Sequence, residues 1–204
     1  IVWELLESQG NSNTAERQAL IQQVLQIIPK ENIECIVAYR EFIGEEWFKY
    51  LDETQGLNFA IRVKKSEQIP HPNGGKVKLS HVFKDINETD IMTHKTKIYK
   101  TPIQITALGL PQEELLIVAS NSVMGQEALT MYKKRWSIER TFKSLKTSGF
   151  NIEDTHITDP NKLKKIFGIT ALALTLCVKM GMIKNKEIPI KIKNHGRKTC
   201  SLFT

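Results

Sequence analysis

The chain has 204 residues, 41% of them hydrophobic and 25% charged, which is long and apolar enough to bury a core and excludes wholesale disorder. Its 29 Lys and Arg outnumber 22 Asp and Glu for a net charge of +7, and the excess is local. Residues 1–128 carry 13 basic and 17 acidic side chains, whereas residues 129–204 carry 16 and 5, so the positive charge reads as a polyanion footprint in the last third rather than general solubility.

Ile1 to Leu6 is apolar and ends in the turn-rich Ser8-Gln-Gly-Asn-Ser-Asn13. Asn13 or Thr14 can cap a helix whose apolar face is Leu20, Ile21, Val24, Leu25 and Ile28, and Pro29 breaks it. Ile33 to Ala38 has the composition of a short buried strand. A helix follows from about Gly44 with Trp47, Phe48 and Leu51 on its core face, Gly56 ends it, and Leu57 to Val63 alternates as a further strand. Strands and helices in this order imply an α/β sheet. The character changes at Lys64. His71-Pro-Asn-Gly-Gly75 is a hairpin-turn signal, and Lys76–Phe83, Lys97–Leu108 and Glu114–Ser120 are strand candidates rich in β-branched residues.

The last third reads as helical. One helix covers Gln126 to Thr147, a loop runs through Gly149 to Thr158, and Asp159-Pro160 caps and opens a second helix to about Lys184. Within it, Ile166 to Val178 is an uncharged apolar run of 13 residues, short of the ~20 of a membrane span, so it reads as a buried helix and no membrane partner is expected. The expected organisation is a first core part over 1–63, an all-β insertion over 64–123, a C-terminal helical part over 124–184 and a basic tail over 185–204.

Cys35, Cys177 and Cys200 are odd in number and widely spaced, against a disulfide scaffold or zinc ribbon, and the five histidines lack metal-ligand spacing. Trp136 is expected in the core, and His156 is expected to hydrogen-bond within its loop. Lys162, Lys164 and Lys165 read equally as DNA-backbone contacts or a solvated first turn. The chain opens on Ile1 with no initiator Met, so the native start is expected upstream.

The informative segment is Tyr132 to Lys146. On a single helix at ~100° per residue, Tyr132, Arg135, Glu139 and Lys146 fall within an arc of about 60°. A carboxylate there could ligate a divalent metal while its cationic neighbours hold phosphate oxygens. The same spacing also gives an ordinary salt-bridged face, Arg135 and Glu139 being a favourable i,i+4 pair.

Tyr132, Arg135, Glu139 and Lys146 at these spacings match the signature of bacterial insertion-sequence DDE transposases of the group named for insertion sequence four. The surroundings are similar too: Arg135-Trp136, Phe142, Leu145-Lys146, then Gly149-Phe150 and Asp159-Pro160. Upstream, Gly10-Asn-Ser-Asn13 with Glu16-Arg17, and Arg40-Glu-Phe-Ile-Gly44 with Trp47-Phe48, also resemble that group, as do His195-Gly-Arg-Lys198 and Ser201-Leu-Phe203 near the end.

The resemblance implies a ribonuclease-H-like mixed sheet flanked by helices, with an all-β insertion before the helix of the catalytic Glu. It implies three acidic residues holding Mg²⁺, or Mn²⁺, for DNA strand cleavage and transfer. Glu139 would be the third acidic ligand, and Tyr132, Arg135 and Lys146 would contact DNA phosphates. The implied partners are transposon-end DNA and a second copy in a synaptic homodimer, and the implied location is the bacterial cytoplasm, at the nucleoid.

Two departures qualify this. The second catalytic Asp of that group falls at Tyr39, a phenol unable to supply negative charge at neutral pH. The first falls on a strand upstream of Trp3. Glu34, Glu41 and Asp52 are the nearby carboxylates that could substitute. The expectation is a truncated, catalytically impaired transposase. The alternatives are a non-catalytic DNA-binding or inhibitory remnant, and a chain that does not fold stably.

Overall fold

A computed structural model describes residues 10–146, 149–194, 196, 198–200 and 202. The opening Ile1–Leu6 segment, Trp3, Thr147, His195, Arg197, Ser201 and Phe203 lie outside the described residues. The chain forms two compact units that part between Trp136 and Ser137.

The larger unit opens with α1 (Thr14–Ile27), started by a capping box in which the Asn13 side chain accepts from the Glu16 backbone and Glu16 accepts from the Asn13 N–H. β1 (Ile36–Ala38) is short, and α2 (Glu45–Lys49) continues into a wider π-type turn over Tyr50–Thr54. β2 (Phe59–Arg62) follows. Phe59, Ala60 and Ile61 are all buried, so the expected alternation is absent because helices cover both faces of this strand.

β3 (Gln68–Pro70) and β4 (Lys76–Lys78) form the hairpin that His71-Pro-Asn-Gly-Gly75 announces, with Gly74 and Gly75 both at positive φ. The strand expected over Lys76–Phe83 is cut short there. Leu79 to Val82 forms the single helical turn α3, which buries Leu79 and sets Phe83 in the core.

The strand expected over Lys97–Leu108 is two strands, β5 (Ile91–Ile98) and β6 (Thr101–Leu110), joined by Tyr99 and Lys100 at φ 49° and 68°. Two left-handed residues make the tight turn that matches strand twist, but Tyr-Lys carries none of the Asn-Gly composition that usually marks it. β7 (Glu114–Ser120) runs over the expected residues. One five-stranded mixed sheet results, in the order β1-β2-β7-β6-β5, with β1 and β2 parallel and every other pair antiparallel. Strands from the 64–123 section therefore hydrogen-bond directly to β2.

One face of the sheet holds the main core, where Trp47, Phe48 and Leu51 of α2 meet Phe59, Ile61, Ile105 and Ile117. The Phe48 and Phe59 rings meet at a tilt, their centroids 4.9 Å apart. The other face is covered by α4 (Gly125–Lys133), whose Ala128, Leu129 and Tyr132 pack with Ala60 and Val118. Two side chains fix the entry to α4: Thr106 Oγ1 accepts from Gly125 N at 2.8 Å, and Ser120 Oγ accepts from the backbone of Ser122 and Val123. The start of β2 is held by Asn121, which accepts from Phe59 N and donates to Asp52 and to the Leu57 carbonyl.

The smaller unit contains most of α5 (Trp136–Lys146), a 3₁₀ turn over Ile152–Thr155, and α6 (Pro160–Glu187). Asp159 caps α6 by accepting from Lys162 N at 2.8 Å, with Pro160 first in the helix, as the sequence implies. Leu145, Ile152 and Leu174 make its core, with Phe150, Leu163, Ile166 and Phe167 against them.

The expected burial of Ile166–Val178 fails. Only Ala171 and Leu174 of α6 are buried, while Ile169, Leu172, Leu176, Met180 and Ile183 are each more than half exposed. A continuous apolar run covers the whole circumference of a helix, and the elements packed on this one cover a single stripe. Among the described residues α6 is also long and apolar enough, by length and composition alone, to cross a membrane.

Candidate functional site

β1 and β2 are parallel, with Ala38 opposite Ile61, so Tyr39 and Arg62 stand together at the carboxyl ends of neighbouring strands. In open α/β sheets that edge is where ligands are usually bound. Side-chain alternation puts Arg62 on the same face as Ala60, the face α4 covers, and α4 brings Tyr132 and the following Arg135 to the same place.

Three guanidiniums surround the Tyr39 ring. Cζ of Arg135 lies 5.1 Å from the ring centroid, that of Arg40 5.4 Å and that of Arg62 5.5 Å. Arg135 also lies 5.5 Å from the Tyr132 ring. Cations over aromatic faces are attracted by the ring quadrupole, by about 0.5–1 kcal/mol each at exposed sites. Tyr132 is 7% exposed, and its buried hydroxyl has no hydrogen-bond partner among the described residues. A buried unsatisfied hydroxyl costs about 1–3 kcal/mol, which a ligand oxygen would recover.

The carboxylates nearest in sequence are occupied elsewhere. Glu34 pairs with Lys134 at 2.6 Å, and Asp52 accepts from Asn121 at 2.7 Å. Glu41 is exposed and acts on Arg17, whose guanidinium also stacks at 4.6 Å on Phe42 and bonds Ser12. Burial lowers the Arg17 pKa, with Glu16 and Glu41 opposing. Neither Arg40 nor Arg62 forms a salt bridge among the described residues.

The single helix expected over Gln126–Thr147 is interrupted. Lys134 and Arg135 sit between α4 and α5, their N–H groups bonding back three residues to Met131 and Tyr132. Three successive cations, Lys133 to Arg135, suit the negative end of a helix, and the chain tightens and stops there. Tyr132 and Arg135 therefore do not share one continuous helix with Glu139 and Lys146, and the common 60° arc does not apply.

On α5, Glu139 is half-buried in the first turn, and Lys146 pairs with Glu153 at 3.1 Å. Trp136 is 60% exposed, against the expectation of a core residue, and Ile138 and Phe142 beside it are also exposed. Leu145 alone of α5 is fully buried, so the apolar stripe is anchored at its far end. The His156 side chain makes no hydrogen bond among the described residues; its backbone is left-handed at φ 51° instead. Lys162 is exposed at the start of α6.

The family model for a transposase DDE domain matches residues 5–176. The chain belongs to the DDE transposase family. No curated protein matches it as a relative. DNA is the substrate of this family, and its members generally depend on a divalent metal.

The transposase domain's own residues at the strand ends do not fit such a metal. No group of three or more His, Cys, Asp or Glu able to hold one occurs among the described residues. The position at the end of β1 carries a phenol ringed by guanidiniums, and hard divalent cations take oxygen anions. Arg40 and Arg62 escaped the sequence reading. Arg40 adjoins Tyr39 and was in plain view, but Arg62 required the parallel pairing of β1 with β2, which no local pattern announces.

Proposed function

We propose that this chain is an insertion-sequence transposase of the Tyr-Arg-Glu-Lys group that binds DNA without cleaving it. Its fold in this reading is a ribonuclease-H-like core interrupted by a β-rich insertion over 64–123, with 124–184 as the C-terminal helical part and 185–204 as a basic tail. Tyr132, Arg135 and Lys146 act as phosphate contacts, and Glu139 is the remaining member of an acidic set that would otherwise hold Mg²⁺ or Mn²⁺.

The observation that carries the proposal is Tyr39. A cluster of three cations around an aromatic ring opposes a divalent metal and favours a polyanion. The +11 balance of residues 129–204, 16 basic against 5 acidic, supports the same partner.

A strand-cleavage assay on DNA carrying the element's ends, with Mg²⁺ or Mn²⁺, tests the reading. The expected result is binding with no nicking above background. Robust cleavage that disappears in Glu139→Ala would overturn it.

A further inference from the structure

We infer that the exposed apolar stripe of α6 is a dimer seam, on which α6 of a second copy lies antiparallel with Leu176 on the two-fold axis. The inference stands on the smaller unit alone and needs no DNA.

The stripe is Ile169, Leu172, Leu176, Met180 and Ile183, each more than half exposed. At ~100° per residue these five fall within an arc of about 80°. The side that α6 turns to its own unit, with Phe167, Ala171 and Leu174, lies opposite. A helix that packs one face on its unit and meets water with the other carries polar residues on the second, and this one carries large aliphatic side chains there. The steps along the stripe are three, four, four and three residues, those of the narrow seam in which two helices interlock. Five side chains so placed present on the order of 500 Å² of apolar surface. Two copies face to face remove about twice that area, the least that a specific interface needs.

The order of the residues selects the partner. Leu176 is the midpoint of the stripe; Leu172 and Met180 lie four residues to either side of it, and Ile169 and Ile183 seven. An antiparallel copy centred on Leu176 therefore sets Leu172 against Met180 and Ile169 against Ile183, twice each. That is the self-complementarity a two-fold interface requires. The charges follow the same rule. Lys165 and Glu187, both exposed, lie eleven residues to either side of Leu176 and close the two ends of the stripe, so each lysine meets the glutamate of the other copy. A parallel pair would instead set Lys165 on Lys165, Lys179 on Lys179 and Glu187 on Glu187. A lipid surface would have to receive Lys179 midway along the stripe, at the cost of a cation in hydrocarbon.

Sedimentation of the DNA-free full chain across a concentration series, together with crosslinking, tests this. Wild type is expected to pass from monomer to dimer. Leu176→Glu, which sets two carboxylates together on the axis, is expected to stay monomeric over the same range. Leu176 is 55% exposed in the single chain, so the dilute variant should melt like dilute wild type. Glu187→Lys should weaken the dimer about tenfold, and Lys165→Glu added to it should restore the affinity. For crosslinking, the native thiols are removed as Cys35→Ala, Cys177→Ser and Cys200→Ser. Leu176→Cys should then be joined to its copy by a short bis-maleimide. Ile169→Cys should not, because its two copies stand about 21 Å apart along the helix pair, until Ile183→Cys is added.

A chain that stays monomeric throughout, a dimer unmoved by Leu176→Glu, or Ile169→Cys that crosslinks by itself as Leu176→Cys does would overturn the inference. Flotation of wild type with phosphatidylglycerol vesicles, abolished in Leu176→Glu, would also overturn it and assign the stripe to lipid. Each of these results leaves the DNA-binding reading untouched.

Discussion

At the scale of single residues, charge and burial divide the ends of β1 and β2 into two environments. Tyr39 sits beneath three guanidiniums. Four residues earlier, Cys35 is half-buried, and burial, then Glu34, push its thiol up from 9.0 to about 11, with Lys134 opposing. The raised value keeps this thiol protonated and slow to react at neutral pH. Cys177 and Cys200 are exposed and should be alkylated by iodoacetamide at pH 8 well before Cys35, an order readable by mass spectrometry. The same shift has a stability consequence. Below pH 9 both folded and unfolded chains hold the Cys35 proton; between about 9 and 11 only the folded chain does, so stability falls as pH rises through that window. Tyr99, pushed to about 12 by burial and by its 3.0 Å hydrogen bond to Glu67, extends the fall to higher pH. The urea midpoint should therefore drop between pH 8 and 10.5, and drop less in Cys35→Ala.

At the scale of elements, the strained turns and the exposed helix make separate predictions. Lys100 is held at φ 68° in the β5–β6 turn, its exposed pair with Glu45 contributing little. A left-handed non-glycine residue costs roughly 1–2 kcal/mol, and glycine returns part of that gain as chain entropy. Lys100→Gly should raise stability by about 0.5 kcal/mol in denaturant titration. Gly109 on β6 is constrained by a neighbour instead: a Cβ there would lie 1.9 Å from the Asn87 carbonyl oxygen. Gly109→Ala must displace backbone and should cost about 1–3 kcal/mol. On α6, Leu174→Ala should cost about 2–5 kcal/mol in the melting of its unit, and Leu172→Ala, 64% exposed, well under 1.

These elements also mark how far the sequence could be read. Asn13, Asp159-Pro160 and His71–Gly75 carry their own capping and turn chemistry, so α1, α6 and the β3–β4 hairpin were legible. The Tyr99-Lys100 turn uses residues with no turn preference, and the break at Lys134-Arg135 interrupts a run of good helix formers, so both were invisible. Hydrophobicity alone made Ile166–Val178 look buried, because it counts apolar residues and not the partners that would cover them. At the Tyr39 cluster, Tyr39, Tyr132 and Arg135 could be picked out by their places in the motifs they resemble, whereas spacing alone left an ordinary salt-bridged helix face equally open. Arg62 needed tertiary pairing to appear.

At the scale of the whole molecule, the family supplies a DNA substrate and a general need for divalent metal, and the residues at the strand ends meet the first requirement better than the second. An 810 Å³ cleft elsewhere in the larger unit shares no residue with the Tyr39 cluster. It carries both signs of charge, Lys65 and Lys84 with Asp85, Glu88 and Glu113, which suits no single class of polyion. Under the proposed reading, the net charge of +7 would give DNA binding a long-range component that salt weakens.

The central claim is that the transposase domain grips DNA through cations at a position where a metal-dependent enzyme would need carboxylates. Its most direct test follows one supercoiled plasmid carrying the element's ends across a salt series, in EDTA and in Mg²⁺, reading binding by gel shift and nicking by conversion to open circles. The account predicts equal binding in both conditions, a steep loss of affinity with salt and no open circles above background. Binding that requires Mg²⁺, or Mg²⁺-dependent nicking abolished by Glu139→Ala, would contradict it.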